Sequence, residues 1–190
     1  MKLIIGLGNP GQQYKNTRHN IGATMLERFL DREKLGELKY DNKYKAEILI
    51  TSPLTGGDGE ARGGSSERKV IFCTPQTFMN LSGEAIAPLA NFYKISPEDI
   101  LVLHDEIDFP LGKIAFKEGG GTAGHNGLKS ITAKLGSGNY KRIRIGVDRG
   151  ENTGVSEYVL GQFKPNEKEI MTEKEQEIFD LIQEFIGVKS

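Results

Sequence analysis

The chain has 190 residues, enough for one domain with a full core. Its 37% hydrophobic and 27% charged content excludes a disordered or fibrous chain. The net charge of −1 excludes a uniformly basic protein but hides a gradient: residues 113–149 hold eight Lys/Arg against two Asp/Glu, and residues 151–190 hold four against nine.

Residues 3–7 are an apolar run of strand length ending in a glycine-rich turn, the pattern of a buried strand in an α/β sheet. Asn9-Pro10-Gly11 has turn chemistry, with φ fixed at Pro10 and positive φ allowed at Gly11. A helix starts near Asn20, places Ile21, Met25, Leu26, Phe29 and Leu30 on one face, and stops at Gly36. His19 then sits at or just before a helix N-terminus, close to the end of the first strand. Ligand sites of open α/β sheets lie there, so Asn9, Tyr14 and His19 can face one cleft. Gly6-x-Gly8-x-x-Gly11 also matches the dinucleotide fingerprint literally. However, residues 12–18 separate the turn from the helix, and the candidate acids Glu27 and Asp31 fall inside that helix. A dinucleotide-binding α/β enzyme is therefore the minor reading.

Residues 45–50 and 69–73 read as a hairpin, joined by a Gly/Ser-rich insertion at about 52–68 that is expected to be flexible. Ser82 is a candidate cap for a helix whose apolar face is Ala85, Ile86, Leu89 and Phe92, with Pro88 interrupting it. Residues 100–103 form a buried strand whose end delivers His104 and Asp105; residues 113–117 form another. After the loop at Gly119-Gly120-Gly121, Leu128, Ile131 and Leu135 mark a helix. Residues 141–147 alternate, which predicts Ile143 and Ile145 inward and Arg142 and Arg144 outward. The tail from Asn166 reads as one amphipathic helix with Ile178, Leu181, Ile182, Phe185 and Ile186 as its stripe; Asn166 and Glu169 resemble a capping box. Alternating strands and helices give an α/β fold of one domain spanning 1–190. No apolar run approaches the roughly 18 residues of a membrane span, and no signal-peptide pattern opens the chain. Cys73, the single cysteine, lies in an apolar strand as an expected inert thiol, which fits a reducing cytoplasm.

Six blocks stand in register: GLGNPG (6–11), TRHNIG (17–22), PQTFMNLSG (75–83), HDEID (104–108), GGGTAGHNGL (119–128) and RIRIG (142–146). Together they resemble the bacterial-type peptidyl-tRNA hydrolase family over nearly the whole chain. The resemblance implies a single-domain sandwich of a mixed central β-sheet with helices on both sides. It implies hydrolysis of the ester joining a peptide, or an N-blocked amino acid, to tRNA. The implied enzyme is a cytoplasmic monomer whose partner is peptidyl-tRNA, with no cofactor and no metal.

Residue by residue, the resemblance makes His19 the catalytic base, Asp105 the support of its basic form, and Asn9 a discriminator of blocked from free aminoacyl groups. It places Asn80 and Asn126 near the scissile ester, and Tyr14 and Phe78 in the substrate site. The residue chemistry is compatible. A neutral imidazole can take a proton from water near pH 7, and an ester needs neither a metal nor a covalent nucleophile. No Gly-x-Ser-x-Gly, no His-Glu-x-x-His and no cysteine pair is present. Asparagine offers a donor and an acceptor without titrating. Plainer readings exist: backbone turn bonding for each asparagine, a solvated turn carboxylate for Asp105, and a core position for Phe78 beside Met79. His104 reads as a packing residue and His125 as a shaper of its loop. Lys117, Lys129, Lys134, Lys141, Arg142 and Arg144 are candidates for phosphate contact. A non-catalytic tRNA-binding relative remains the alternative function.

Overall fold

The computed structural model describes residues 1–52, 69–150 and 154–188. Seven strands form one mixed sheet in the order β2-β3-β4-β1-β5-β7-β6. They are β1 Lys2–Gly6, β2 Lys39–Asp41, β3 Ala46–Thr51, β4 Val70–Pro75, β5 Ile100–Glu106, β6 Ile114–Glu118 and β7 Lys141–Gly146. β4, β1, β5 and β7 run parallel, and the antiparallel β3 and β6 flank them. The helices are α1 Ile21–Arg32, α2 Ser82–Phe92, α3 Asn126–Leu135, α4 Val155–Leu160, α5 Pro165–Glu173 and α6 Glu175–Ile186.

Strand alternation builds two cores, one on each face. Ile4, Phe72, Leu101, Leu103 and Ile143 meet Met25, Leu26 and Phe29 of α1 and Ile178, Phe179 and Ile182 of α6. Leu3, Ile5, Ile71 and Val102 meet Ala85, Ile86 and Leu89 of α2 and Leu128 and Ile131 of α3. Each large apolar side chain so buried contributes roughly 1.5–3 kcal/mol. The central parallel strands are apolar on both faces because helices cover both. Their carboxyl ends are thereby left as the open edge of the layer. No helix among the described residues is long and apolar enough to cross a membrane.

Several local expectations change. Helix α1 ends at Arg32 with Lys34, not Gly36, in the left-handed position. The Leu35 N–H donates to the Leu30 carbonyl there, 3.0 Å away, closing the helix end. Ser82 is the first residue of α2 and caps nothing; its hydroxyl donates to the Met79 carbonyl at 2.8 Å. Pro88 is accommodated within α2 on its exposed side, and Phe92 is exposed. The tail is two helices, broken at Lys174, and its reciprocal cap is Glu167 accepting from the Lys164 N–H at 2.7 Å instead of Asn166 with Glu169. Helix α4 was not marked by any apolar period. Residues 53–68, nearly all of the Gly/Ser-rich insertion, lie outside the described residues.

Arg142 is also corrected: it is 2% exposed. Alternation does put it on the face opposite Ile143, but loop carbonyls cover that face. Its guanidinium donates to Gly121 at 2.6 Å and Gly120 at 2.8 Å, and lies over the Tyr140 ring.

Candidate active site

The open edge of the sheet is where the blocks of sequence converge. β1 ends at Gly6, and its line continues as the Leu7 N–H donates to the Leu103 carbonyl of β5 at 3.1 Å. The Leu7 carbonyl accepts from Ala23 N–H at 3.0 Å, which clamps the start of α1 onto the sheet. Gly22 permits that approach: a Cβ there would fall 2.2 Å from the Leu103 carbonyl oxygen. The short 3₁₀ turn at Arg18–Asn20, just before α1, is therefore held against the last residues of β5. Asp105 belongs to that strand, which runs on through Glu106.

His19 and Asp105 meet as a result. His19 Nδ1 is 2.8 Å from Asp105 Oδ1, and the carboxylate side chain is only 2% exposed. The same Oδ1 lies 2.9 Å from Nε2 of His125, the residue before α3. His125 Nδ1 accepts the Gly127 N–H at 3.1 Å, capping α3. That cap places the His125 proton on Nε2, so this ring donates to Asp105. Burial pushes the Asp105 carboxyl up, but His125 and then His19 outweigh it and hold it below the usual carboxylate range. An ionised Asp105 can only accept, so His19 Nδ1 carries a proton and Nε2 carries the lone pair. Behind them His104 is buried, with Nδ1 2.7 Å from the Asp105 carbonyl. Burial, followed by His125, pushes its pKa down to about 3, so it is neutral.

Asn9 is fixed by a residue that sequence reasoning passed over. Asn20 Oδ1 accepts from the Asn9 N–H, and Asn20 Nδ2 donates to the Asn9 carbonyl, both at 2.9 Å. Asn9 Oδ1 accepts the Met79 N–H at 2.8 Å, which leaves its Nδ2 as the free donor. Asn20 lies where the apolar helical pattern begins, and its bonds to Asn9 span eleven residues with no local signal. By sequence alone His125 is a shaper of its loop. Its contact with Asp105 spans twenty residues in sequence and has no local signal.

These groups share one cleft of about 700 Å³, lined by Asn9, Tyr14, His19, Phe78, Asn80, Asp105 and Asn126, all seven residues singled out from sequence. Phe78 is 53% exposed, so the core reading fails for it; the buried neighbour is Met79. The Phe78 and Tyr14 rings meet edge to face at 6.3 Å. Ile107, Val155, Val159 and Leu160 give the cleft an apolar side. Such a site can hold an acyl chain, offer amide donors to a carbonyl, and accept a proton at one imidazole nitrogen. His19, Asp105 and His125 also present ligand atoms within 4.8 Å of one another. A cation there would displace both hydrogen bonds to Asp105. Cys73 lies apart, buried, with burial pushing its thiol pKa up.

Of the basic candidates, Arg144 pairs with Glu106 at 2.9 Å, Lys134 with Glu84 at 3.7 Å and Lys141 with Glu118 at 3.8 Å. Lys117 and Lys129 have no ion pair among the described residues.

Comparisons with known proteins converge on one family. The family model described as peptidyl-tRNA hydrolase matches residues 3–189. The peptidyl-tRNA hydrolase of Lactobacillus johnsonii is 43% identical over 190 residues, covering all of this chain and 95% of the relative. That of Neisseria meningitidis is 46% identical over 163 residues, covering 85% of this chain and 78% of the relative. A crystal structure of peptidyl-tRNA hydrolase from Acinetobacter baumannii superposes with a TM-score of 0.84 at 35% identity, covering 98% of this chain and 89% of that one.

Proposed function

The chain belongs to the peptidyl-tRNA hydrolase family, and we propose that it is an enzyme cleaving the peptidyl-tRNA ester by a water molecule that His19 activates. His19 Nε2 takes a proton from water as the oxygen attacks the ester carbonyl. The bond to the ribose oxygen then breaks, that oxygen takes back the proton from His19 Nε2, and the products are free tRNA and a peptide whose new carboxyl group ionises in solvent. Asp105 fixes the tautomer and offsets the imidazolium charge as it forms. The carrying observation is the 2.8 Å contact of His19 Nδ1 with a buried carboxylate at the edge of an asparagine-lined cleft.

The remaining groups divide the substrate between them. The free Asn9 Nδ2 suits the amide carbonyl of the N-blocking group, which a free aminoacyl group lacks. Asn80 and Asn126, both exposed in the cleft, suit the ester carbonyl and its developing oxyanion. Tyr14 and Phe78 offer faces for stacking, and the apolar side suits peptide side chains. Lys117 and Lys129 suit tRNA phosphates, which position the acceptor without reading its sequence. The single buried thiol fits a cytoplasmic protein, and the reading needs neither a metal nor a second copy of the chain.

The deciding experiment is hydrolysis of an N-acetylated against a free aminoacyl-tRNA by the wild type and His19→Ala. The expected result is selective release from the blocked substrate, and a variant that folds and binds tRNA with under a tenth of the rate. A variant retaining more than a tenth refutes His19 as the base. Tight tRNA binding with no turnover by the wild type would instead favour a non-catalytic tRNA-binding relative.

A further inference from the structure

Next to His19 stands a side chain that the proposed hydrolysis does not use. Arg18 is 5% exposed. Its Nη2 forms a fork with Glu167, 3.0 Å from Oε1 and 2.7 Å from Oε2. Nη1 donates to the Gln162 carbonyl at 3.0 Å. The guanidinium lies 4.3 Å above the Tyr158 ring and 5.5 Å from the Phe163 ring centre. The backbone follows the same route: the Arg18 N–H donates to the Gly161 carbonyl at 3.0 Å, and the Phe163 N–H to the Asn16 carbonyl at 3.3 Å. All these side-chain contacts go to residues 158–167, the end of α4 and the start of α5.

Helix α4 needs such an anchor. It has six residues, and only Val159 among them is buried. It nevertheless brings Val155, Val159 and Leu160 to the cleft. The Tyr158 hydroxyl donates to the Val147 carbonyl at 2.9 Å, and the other face of the helix end is held by Arg18. One buried guanidinium thus joins the turn bearing His19 to the helix bearing the apolar side of the cleft. Its planar fork fixes direction as well as distance, which an ammonium does not.

We propose that Arg18 is a positioning residue, which sets the separation between His19 and the acyl-binding side of α4 through Glu167, Gln162 and Tyr158. The inference rests on the reading of His19 as the base. A base displaced by about 1 Å can lose on the order of a hundredfold in rate. A peptide long enough to lie along α4 should also feel the helix move, whereas a single blocked amino acid should not.

The test uses Arg18→Gln, Arg18→Lys and the near-isosteric Glu167→Gln, with kcat and KM expressed per folded molecule. Substrates are an N-acetylated aminoacyl-tRNA and an N-acetylated tripeptidyl-tRNA with apolar side chains. Both Arg18 variants are expected to lose about tenfold or more in kcat on both substrates. KM for the short substrate should stay within about twofold, while KM for the tripeptidyl substrate rises. Glu167→Gln should move in the same direction, and adding it to Arg18→Gln should cost little more. Wild-type kcat in the folded variants, or an equal KM change on both substrates, overturns the proposal. If the Arg18 variants do not fold, Glu167→Gln alone decides by the same two measures. His19→Ala run alongside separates the failures: an active His19→Ala overturns the base, whereas an inactive one beside fully active Arg18 and Glu167 variants overturns only this inference.

Discussion

His19 Nδ1 sits 2.8 Å from Oδ1 of Asp105, and that oxygen also serves His125 at 2.9 Å. One buried carboxylate therefore receives two ring protons. Asp105→Asn keeps an oxygen that can accept both, but removes the negative charge. The imidazolium formed during attack then lacks its counter-charge. Saturated kcat should fall about a hundredfold or more, with KM within about twofold. A loss under about tenfold would reduce Asp105 to a structural role.

Asn9 gives its side-chain oxygen to the Met79 N–H and has Nδ2 left over. Asn9→Asp keeps the acceptor for Met79 but replaces the donor by a charged oxygen. Asn9→Ala removes both and adds no repulsion. If the donor meets a substrate carbonyl, Asn9→Asp should be the worse enzyme by about tenfold in kcat/KM. An Asn9→Asp variant more active than Asn9→Ala would show that only the Met79 contact matters. Asn20→Ala should resemble a milder Asn9→Ala, because it frees the Asn9 backbone at both ends.

His104 gives the fold a pH dependence distinct from catalysis. Its pKa is pushed down to about 3 in the folded chain, against 6.5 when unfolded. Below pH 6.5 the unfolded chain therefore binds a proton that the folded chain refuses, and stability falls as pH falls. The loss between pH 7 and pH 5 should be about 2 kcal/mol. Asp105, held below its ordinary value, contributes stability that is lost only below the unfolded carboxylate range near pH 4. The His104 window opens first, from about pH 6.5 down to about 3, and the Asp105 window joins it only near pH 4, so the change between pH 7 and pH 5 reports His104. Denaturant titrations at pH 7 and pH 5 should show His104→Asn flattening the first window; an unchanged slope would rule out His104 as its source.

What sequence made legible followed short-range rules. The strand, turn and helix around His19 are written in one run of apolar spacing and turn residues, and the parallel strands in runs apolar on both faces. Legibility ended where a distant segment decides the environment. Arg142 alternates with Ile143 as an outward residue would, yet the carbonyls of Gly120 and Gly121 close over it. His125 looks like loop chemistry until β5 brings Asp105 to its ring. Helix α4 is too short to show a period, and Arg18, 149 residues from Glu167 in sequence, gives no local sign of its fork. The resemblance supplied the site residues that spacing alone would have left as turns.

The basic segment of residues 113–149 is less available to tRNA than its composition implies. Arg142 is enclosed, and Arg144, Lys134 and Lys141 already have carboxylate partners. Lys117 is half-buried near the glycine loop and Lys129 is exposed on α3, each without an ion pair among the described residues. Neutralising a phosphate releases counterions, at about 0.7–0.9 in the slope of log K against log salt per contact. Lys117→Gln and Lys129→Gln should each lower that slope by roughly this amount and weaken tRNA binding, leaving saturated kcat nearly unchanged. Arg142→Gln should instead lower thermal stability by freeing the glycine loop, with any loss of affinity showing no such change in slope. A slope that falls for Arg142→Gln and not for the two lysines would move the tRNA contacts off this face.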